Sequence, residues 1–519
     1  MIPHSSVFRF FLAKMTYIAV IINSSRKLVF ERLSARYLGR NECWFILIAA
    51  LHFIFWTAAP SLGFSSPPLD VIENRVWGSE WLIGTYKHPP LQAWLTQISW
   101  QVGGVSAIYA MSQIFVIATA AALFLLGRDM SDPQTGLLAS GIYFLCYYAT
   151  IPTPEFNANI VSAPFWAFSS YFLWQLITRG ETAGLGMWLG LSLSVALAFY
   201  AKYSVLFLVI GLLFATLTQP KGRALFKSIK IYASTVLTMV LCLPNIIWLI
   251  TNDLQPLYYA ASRAEPLVGL SHLTNPLSFV ISVGLAFLLP VLLLFLAGAK
   301  FIKHNIDRLN SRFINCVAFI PLLAMIVMSV ISGTGLKSMW GASAAVWVAL
   351  FIAIHSTSIW QMPHLSRTLR VAAFLFFLMP VAVGGYSIYS AGTAWPQRTA
   401  WPGARITSTV LDAWQTHRSD TPKIIIGSTF EAGLIAHFSR DKPTVLIDGS
   451  FAKSPWVTLK MIHDNGALLV WTGADGHLPY PPNIAGIEMT PFQATGKIPI
   501  AHKGKSIFFH WAILAPKRK

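Results

Sequence analysis

The chain has 519 residues, of which 55% are hydrophobic and 11% charged, with a formal net charge of +18. Soluble domains carry roughly a quarter charged residues, so this composition excludes an ordinary soluble enzyme and points to a polytopic α-helical membrane protein. Much of the positive charge lies in short loops between apolar runs, where it reads as a topology signal and an attraction to anionic headgroups, not as a footprint for nucleic acid.

The first 42 residues are basic, and their apolar stretch at 15–23 is broken by Asn23, Ser24 and Ser25. No small-residue cleavage site follows, so a cytoplasmic amphipathic segment or an overlong start is expected rather than a removed signal peptide. A membrane span needs ~20 mostly apolar residues. On that criterion spans are predicted at 43–62, 105–126, 134–152, 157–178, 183–200, 202–218, 229–250, 273–298, 313–332, 340–358 and 369–390. The apolar stretch 91–101 is too short to cross and should lie along the interface or re-enter. After residue 391 the pattern changes. Strands are expected at 423–428, 444–449, 467–471 and 506–515, with a helix at 429–438. Strands alternating with a helix imply a small α/β domain over 391–519. Cys43, Cys146, Cys242 and Cys316 fall in or beside apolar runs and make no CxxC pair or disulfide-like framework.

Lys and Arg set the orientation. With the N-terminus inside, the inner segments hold Arg26, Lys27, Arg32, Arg36, Arg40, Arg128, Arg179, Lys221, Arg223, Lys227, Lys230, Lys300, Lys303, Arg308, Arg312, Arg367 and Arg370, besides Arg9 and Lys14. The outer loops before the C-terminal region hold only Arg75, Lys87, Lys202, Arg263 and Lys337. The segments 63–104, 151–157, 200–203, 251–272 and 333–339 then face outward with the C-terminal domain, and the polar residues of interest fall on that same side.

The first outer loop carries the strongest motif. Asp70 and Glu73 are three residues apart, one turn on a shared helical face, and precede the run Lys87-His88-Pro89-Pro90-Leu91. Paired carboxylates at a membrane surface suit general-base chemistry, sugar hydroxyls or a divalent cation. The plainer reading is a solvated loop with Asp70 as a helix N-cap. Two prolines fix the chain as it enters 91–100 and hold Lys87 and His88 at headgroup depth, where they suit a phosphate; a snorkelling lysine is the alternative.

In the second outer loop, Glu155 stands just before a span, as catalytic acid or as a cap on the helix dipole. Asn157 and Asn159 are polar groups entering the bilayer, which marks a partner or a wet cavity. Lys202 between Tyr200 and Tyr203 fits a lipid phosphate, or simple interface anchoring. Lys337 and Trp340 close a short late loop, the tryptophan as a sugar or polyprenyl stacker or as part of the aromatic belt. The loop 251–272, with Asp253, Tyr258, Tyr259, Arg263 and Glu265, could form a lid or an acceptor groove. There is no HExxH, P-loop, GxSxG, dinucleotide fingerprint or histidine cluster with metal-ligand spacing.

Together these residues resemble the GT-C superfamily of glycosyltransferases, and more closely family 39, the protein O-mannosyltransferase-like group that includes bacterial enzymes adding aminoarabinose or galacturonate to lipopolysaccharide. The marks are Asp70 in a long first outer loop, Trp77 and Trp81, Lys87 to Leu91 before Trp94, then Lys202-Tyr203 and Lys337 with Trp340. They cover roughly residues 43–345. The family carries an aspartate in the second outer loop; here Glu155 is the nearest acid, and another alignment falls on Asn159. The resemblance implies about 11–13 membrane helices and a bacterial inner-membrane location with a periplasm-facing site. It implies an inverting transfer of sugar from a polyprenyl-phosphate donor to lipid A, core sugar or another envelope glycan. Asp70, Glu73 and Glu155 would be catalytic. Lys87, His88, Lys202 and Lys337 would hold the donor phosphate. Tyr203, Trp340, Asn157 and Asn159 would bind substrate, and a divalent cation is left open. A flippase or transporter is the alternative, but transporters place charges at mid-membrane and show repeats, and neither pattern is present.

Overall fold

In the computed structural model, the residues described are 39–263, 266–301, 306–393, 395–473, 484, 487, 492–500 and 508–517. Nearly all of the basic N-terminal segment, together with Lys303, Glu265 and the start of the last predicted strand at 506, lies outside them.

The membrane part is helical. Among the described residues, six helices are long and apolar enough to cross a bilayer: Arg40–Gly63, Leu91–Met130, Ala158–Thr182, Ile229–Thr251, Arg308–Ser332 and Leu365–Ser390; two bent pairs, from 205 to 227 and from 271 to 296, raise the number to eight. The chain is a multi-pass membrane protein. The remaining predicted spans are shorter in the structure. Segment 134–152 is a helix only over Pro133–Leu145, and 340–358 only over Val348–Ile354. In the latter, Ala342 to Trp347 pass as turns before the helix begins.

The stretch 91–101 is a separate half-helix. It joins the following span through Gly103 (φ −161°, ψ 29°) and Gly104 (φ 65°, ψ −152°). Only glycine takes the second conformation without strain, so the break is fixed by sequence. The membrane helices approach closely where small residues meet: a Cβ at Gly136 would lie 2.4 Å from the Phe124 carbonyl, and one at Gly63 2.5 Å from Gly384. This is the packing expected where lipid supplies no hydrophobic drive.

The C-terminal region forms a five-stranded sheet: β1 Ile424–Gly427, β2 Thr444–Ile447, β3 Ala467–Gly473, β4 Ala494–Pro499 and β5 Phe508–Leu514, in the order β2-β1-β3-β5-β4. β1 pairs in parallel with β2 and β3, and β5 runs antiparallel between β3 and β4. Thr429–Phe438 is helical as expected. The helices Gly403–His417 and Leu459–Asn465 and the strand β4 were not anticipated.

Most important for the site is the helix Leu69–Ser79 in the first outer loop. Its Ile72, Val76 and Trp77 join one buried core with Ile406, Val410, Trp414, Phe430 and Leu434 of the C-terminal region. The approach is close, since a Cβ at Gly433 would meet Ile72 at 2.5 Å. Each fully buried aliphatic side chain of this kind contributes roughly 1.5–3 kcal/mol. Helices of the C-terminal region therefore clamp the helix that carries the two acids.

Candidate active site

Helix Leu69–Ser79 begins after Pro68, with Asp70 in its first turn. Asp70 is thus not the N-cap. Its backbone N–H is one of the orphan donors of the helix start, and it donates to Glu155 Oε2 at 3.0 Å. Glu155 caps this distant helix and not the one that follows it in sequence. That following helix is capped by Asn157, whose Oδ1 accepts from the Asn159 N–H at 3.1 Å. The turn between them holds Phe156 at φ +42°, which lets Glu155 and Asn157 both reach Asp70. Asn157 Nδ2 donates to Asp70 Oδ2 at 3.0 Å. The other Asp70 carboxylate oxygen accepts no hydrogen bond among the described residues.

One turn along, Glu73 is buried and accepts from Lys87 Nζ at 2.7 Å. The Lys87 loop is tied by Thr85, whose Oγ1 accepts from the Lys87 and His88 N–H groups at 3.2 and 2.9 Å and donates to the His88 carbonyl at 3.0 Å. Tyr259, from the helix Gln255–Arg263, lies edge-on to Tyr86 at 5.6 Å and 5.8 Å from Lys87 Nζ. The loop 251–272 therefore does reach over this group.

Lys202 follows the helix Leu185–Ala201 and donates to Asn159 Oδ1 at 2.5 Å. No carboxylate pairs with it among the described residues. Lys337, Ser338, Asn157 and Asn159 line a cavity of about 450 Å³ together with the apolar Val116, Ile160 and Ala163. Tyr147 and Tyr148 also line it, and neither was singled out from sequence.

Burial dominates the electrostatics. It pushes Glu73 up to about 7, against the pull of Lys87. It also pushes Glu155 up, aided by the nearby Asp70 and opposed by the Asp70 N–H and Arg398. Burial draws Lys87 down, but Glu73 and Asp70 more than offset it, leaving Lys87 above the usual lysine value. Burial lowers Lys202 to about 8. His88 falls well below its ordinary value through burial and its neighbours Lys87 and Lys202, so it is a neutral hydrogen-bonding group at pH 7 and not a cation.

Two predicted residues are turned elsewhere. The Tyr203 hydroxyl donates to Asn245 Oδ1 at 2.9 Å, while Asn245 Nδ2 donates to the Ile83 carbonyl at 2.6 Å. Asn245 thereby braces the Lys87 loop from a membrane helix; a lone asparagine near the end of an apolar span was the available signal. Trp340 sits in the turn Ser338–Gly341, half-buried against the membrane core, and its ring is not among the groups lining the cavity. No group of three or more His, Cys, Asp or Glu among the described residues is placed to hold a metal ion.

Against known proteins, the chain matches the ArnT structure from Cupriavidus metallidurans over 90% of its own length and 98% of that chain, with a TM-score of 0.60 at 11% identity. The fold is GT-C. ArnT bound to undecaprenyl phosphate matches at a TM-score of 0.58 and 12% identity. Residues 87–248 match the family described as dolichyl-phosphate-mannose-protein mannosyltransferase. A lipid A galacturonosyltransferase, RgtD from Rhizobium johnstonii, is 26% identical over 212 residues, which is 40% of this chain. The chain spans 44% of that relative's length. The resemblance to GT-C glycosyltransferases thus holds in sequence as well as in fold.

Proposed function

We propose that this GT-C chain is an inverting glycosyltransferase of a bacterial inner membrane, moving a sugar from a polyprenyl-phosphate donor to an envelope lipid or glycan on the periplasmic face. One observation carries the reading. Asp70 is held by Asn157 with one carboxylate oxygen left open, Asn159 accepts from Lys202, and both asparagines line the same cavity as Lys337; Lys202 and Lys337 have no carboxylate partners among the described residues. The similarity to ArnT bound to undecaprenyl phosphate and to a lipid A galacturonosyltransferase supports the same class of donor and acceptor.

In this reading the acceptor hydroxyl attacks the anomeric carbon and its proton passes to the open Asp70 oxygen. The bond from the anomeric carbon to the phosphate oxygen breaks, and its electron pair leaves with the polyprenyl phosphate. The leaving phosphate gains a negative charge, which Lys202 and Lys337 stabilise where water is sparse. His88 offers a neutral hydrogen bond. Lys87 is engaged by Glu73 and joins the phosphate set only when that pair opens. Glu155 fixes the start of the helix carrying Asp70. Asn159 positions Lys202.

Purified protein in liposomes, given a polyprenyl-phosphate sugar and an acceptor lipid, should release polyprenyl phosphate in step with product of inverted anomeric configuration. Movement of intact donor across the bilayer without release would favour the flippase and overturn the proposal.

A further inference from the structure

The cavity of about 450 Å³ shares one residue with each side of the proposed reaction. Asn157 lines it and donates to Asp70 Oδ2 at 3.0 Å. Asn159 lines it and accepts from Lys202 Nζ at 2.5 Å. The lining runs from Tyr147 and Met339, 50% and 49% exposed, to the buried Val116 and Tyr143, so the cavity is open at one end and closed among the helices at the other. Two distant segments build its wall. The Tyr148 hydroxyl donates to the Ser338 carbonyl at 3.1 Å, which fastens the turn Tyr147–Ala149 to the loop that carries Lys337.

The polar groups on this lining decide what fits. The Tyr147 hydroxyl, Ser338 Oγ and Asn159 Nδ2 make no hydrogen bond among the described residues. An isoprenoid tail in the cavity would strip water from all three and return no hydrogen bond, which is costly for each group. A sugar ring offers hydroxyls to these groups and C–H faces to the apolar wall. Small-molecule pockets span roughly 300–1,000 Å³, and this one lies near the lower end, with room for one sugar unit and too little for a long tail. The order of the reaction agrees. In an inverting transfer the anomeric carbon lies between the acceptor oxygen, at Asp70, and the phosphate, at Lys202. A cavity that touches the hydrogen-bond partners of both is where the rest of that sugar falls.

We infer that this cavity receives the transferred monosaccharide, that Tyr147 and Ser338 are its specificity-determining residues, and that the polyprenyl tail lies elsewhere. The inference rests on the sugar-transfer reading for the order of base, sugar and phosphate.

The test uses the full chain in neutral detergent, titrated by native mass spectrometry with undecaprenyl phosphate, either bare or carrying mannose, galacturonic acid or arabinose. At least one sugar-bearing lipid should bind at least tenfold more tightly than the bare lipid. Tyr147→Ala and Ser338→Val, both at exposed positions, should each cut that preference at least threefold and leave the bare lipid within twofold. Ala163→Leu, at a buried position of the lining, should abolish the preference, again with the bare lipid within twofold; the two exposed variants decide the matter if Ala163→Leu fails to fold. Tenfold weaker binding of the bare lipid in any folded variant would put the tail in the cavity and overturn the inference. So would the absence of a preference for any of the three sugar-bearing lipids, or a preference that Tyr147→Ala and Ser338→Val leave intact. Failure of the transferase reading looks different: the sugar preference would be present and lost in the variants, while wild-type protein in liposomes released no polyprenyl phosphate.

Discussion

Replacing Asn159 with aspartate sets a carboxylate where an amide now accepts from Lys202 at 2.5 Å. The gross attraction at that distance is about 6–7 kcal/mol at an effective dielectric of about 20, an upper bound that desolvation cuts sharply. An opposite charge this close raises a lysine by at least about one pH unit, or about 1.4 kcal/mol. In the wild type, burial brings Lys202 to about 8. If the ammonium form binds the donor phosphate, activity is full below that value and lost as pH rises through it. Donor kcat/KM in liposomes, measured from pH 6 to 10.5, should therefore fall above about pH 8 in the wild type and above about pH 9 in Asn159→Asp. The same carboxylate repels the phosphate, so the plateau should drop at least about tenfold. Lys202→Arg, whose charge does not titrate, should lose the limb near pH 8. A limb that stays at pH 8 in Asn159→Asp would refute the assignment of Lys202 as the titrating phosphate ligand.

Glu73 gives a second pH signature. Its folded value of about 7 lies above the unfolded carboxylate value of about 4.5, so the folded state holds the extra proton. Stability from this group is complete below about pH 4.5 and declines as pH rises to about 7, by up to about 3 kcal/mol, while Lys87 stays charged. Glu73→Gln should flatten that slope in thermal unfolding; an unaltered slope would mean Glu73 does not titrate there. Tyr203→Phe should lower thermal stability by about 1 kcal/mol and leave donor KM within about twofold, since the hydroxyl serves Asn245; a large KM effect would place it on the donor. A Cβ at Gly84 would lie 2.3 Å from the Trp248 ring, so Gly84→Ala should displace the Lys87 loop and cost about 1–3 kcal/mol. Gly84→Ala combined with Trp248→Ala should cost less than the two single changes summed, and a fully additive loss in thermal unfolding would count against that clash as the cause.

Much of the frame could be read from residue order. Apolar run lengths and the Lys and Arg bias marked the helical membrane part. Asp70 and Glu73 fell on one face because the helix period puts them there. The half-helix at 91–101 was separated by its length, and Gly103-Gly104 supplied the break. What escaped depends on contacts between distant segments. Glu155 meets the Asp70 N–H across 85 residues, which no local spacing reveals. β4 has a glycine, a lysine and a proline in six residues and alternating half-exposure, so it becomes a strand only by pairing with β5. The helix Gly403–His417 does show Ile406, Val410 and Trp414 at helical spacing, a signal that was there to be used. Arg75 looked like one more loop cation until its burial against Trp100 became visible.

The most direct test of the central claim is Asp70→Asn in folded, membrane-inserted protein, with donor binding and single-turnover sugar transfer measured side by side. Removing a general base costs about 10²–10⁴ in rate. The account predicts transfer lower by that factor with donor affinity within about threefold. Transfer at the wild-type rate would contradict it.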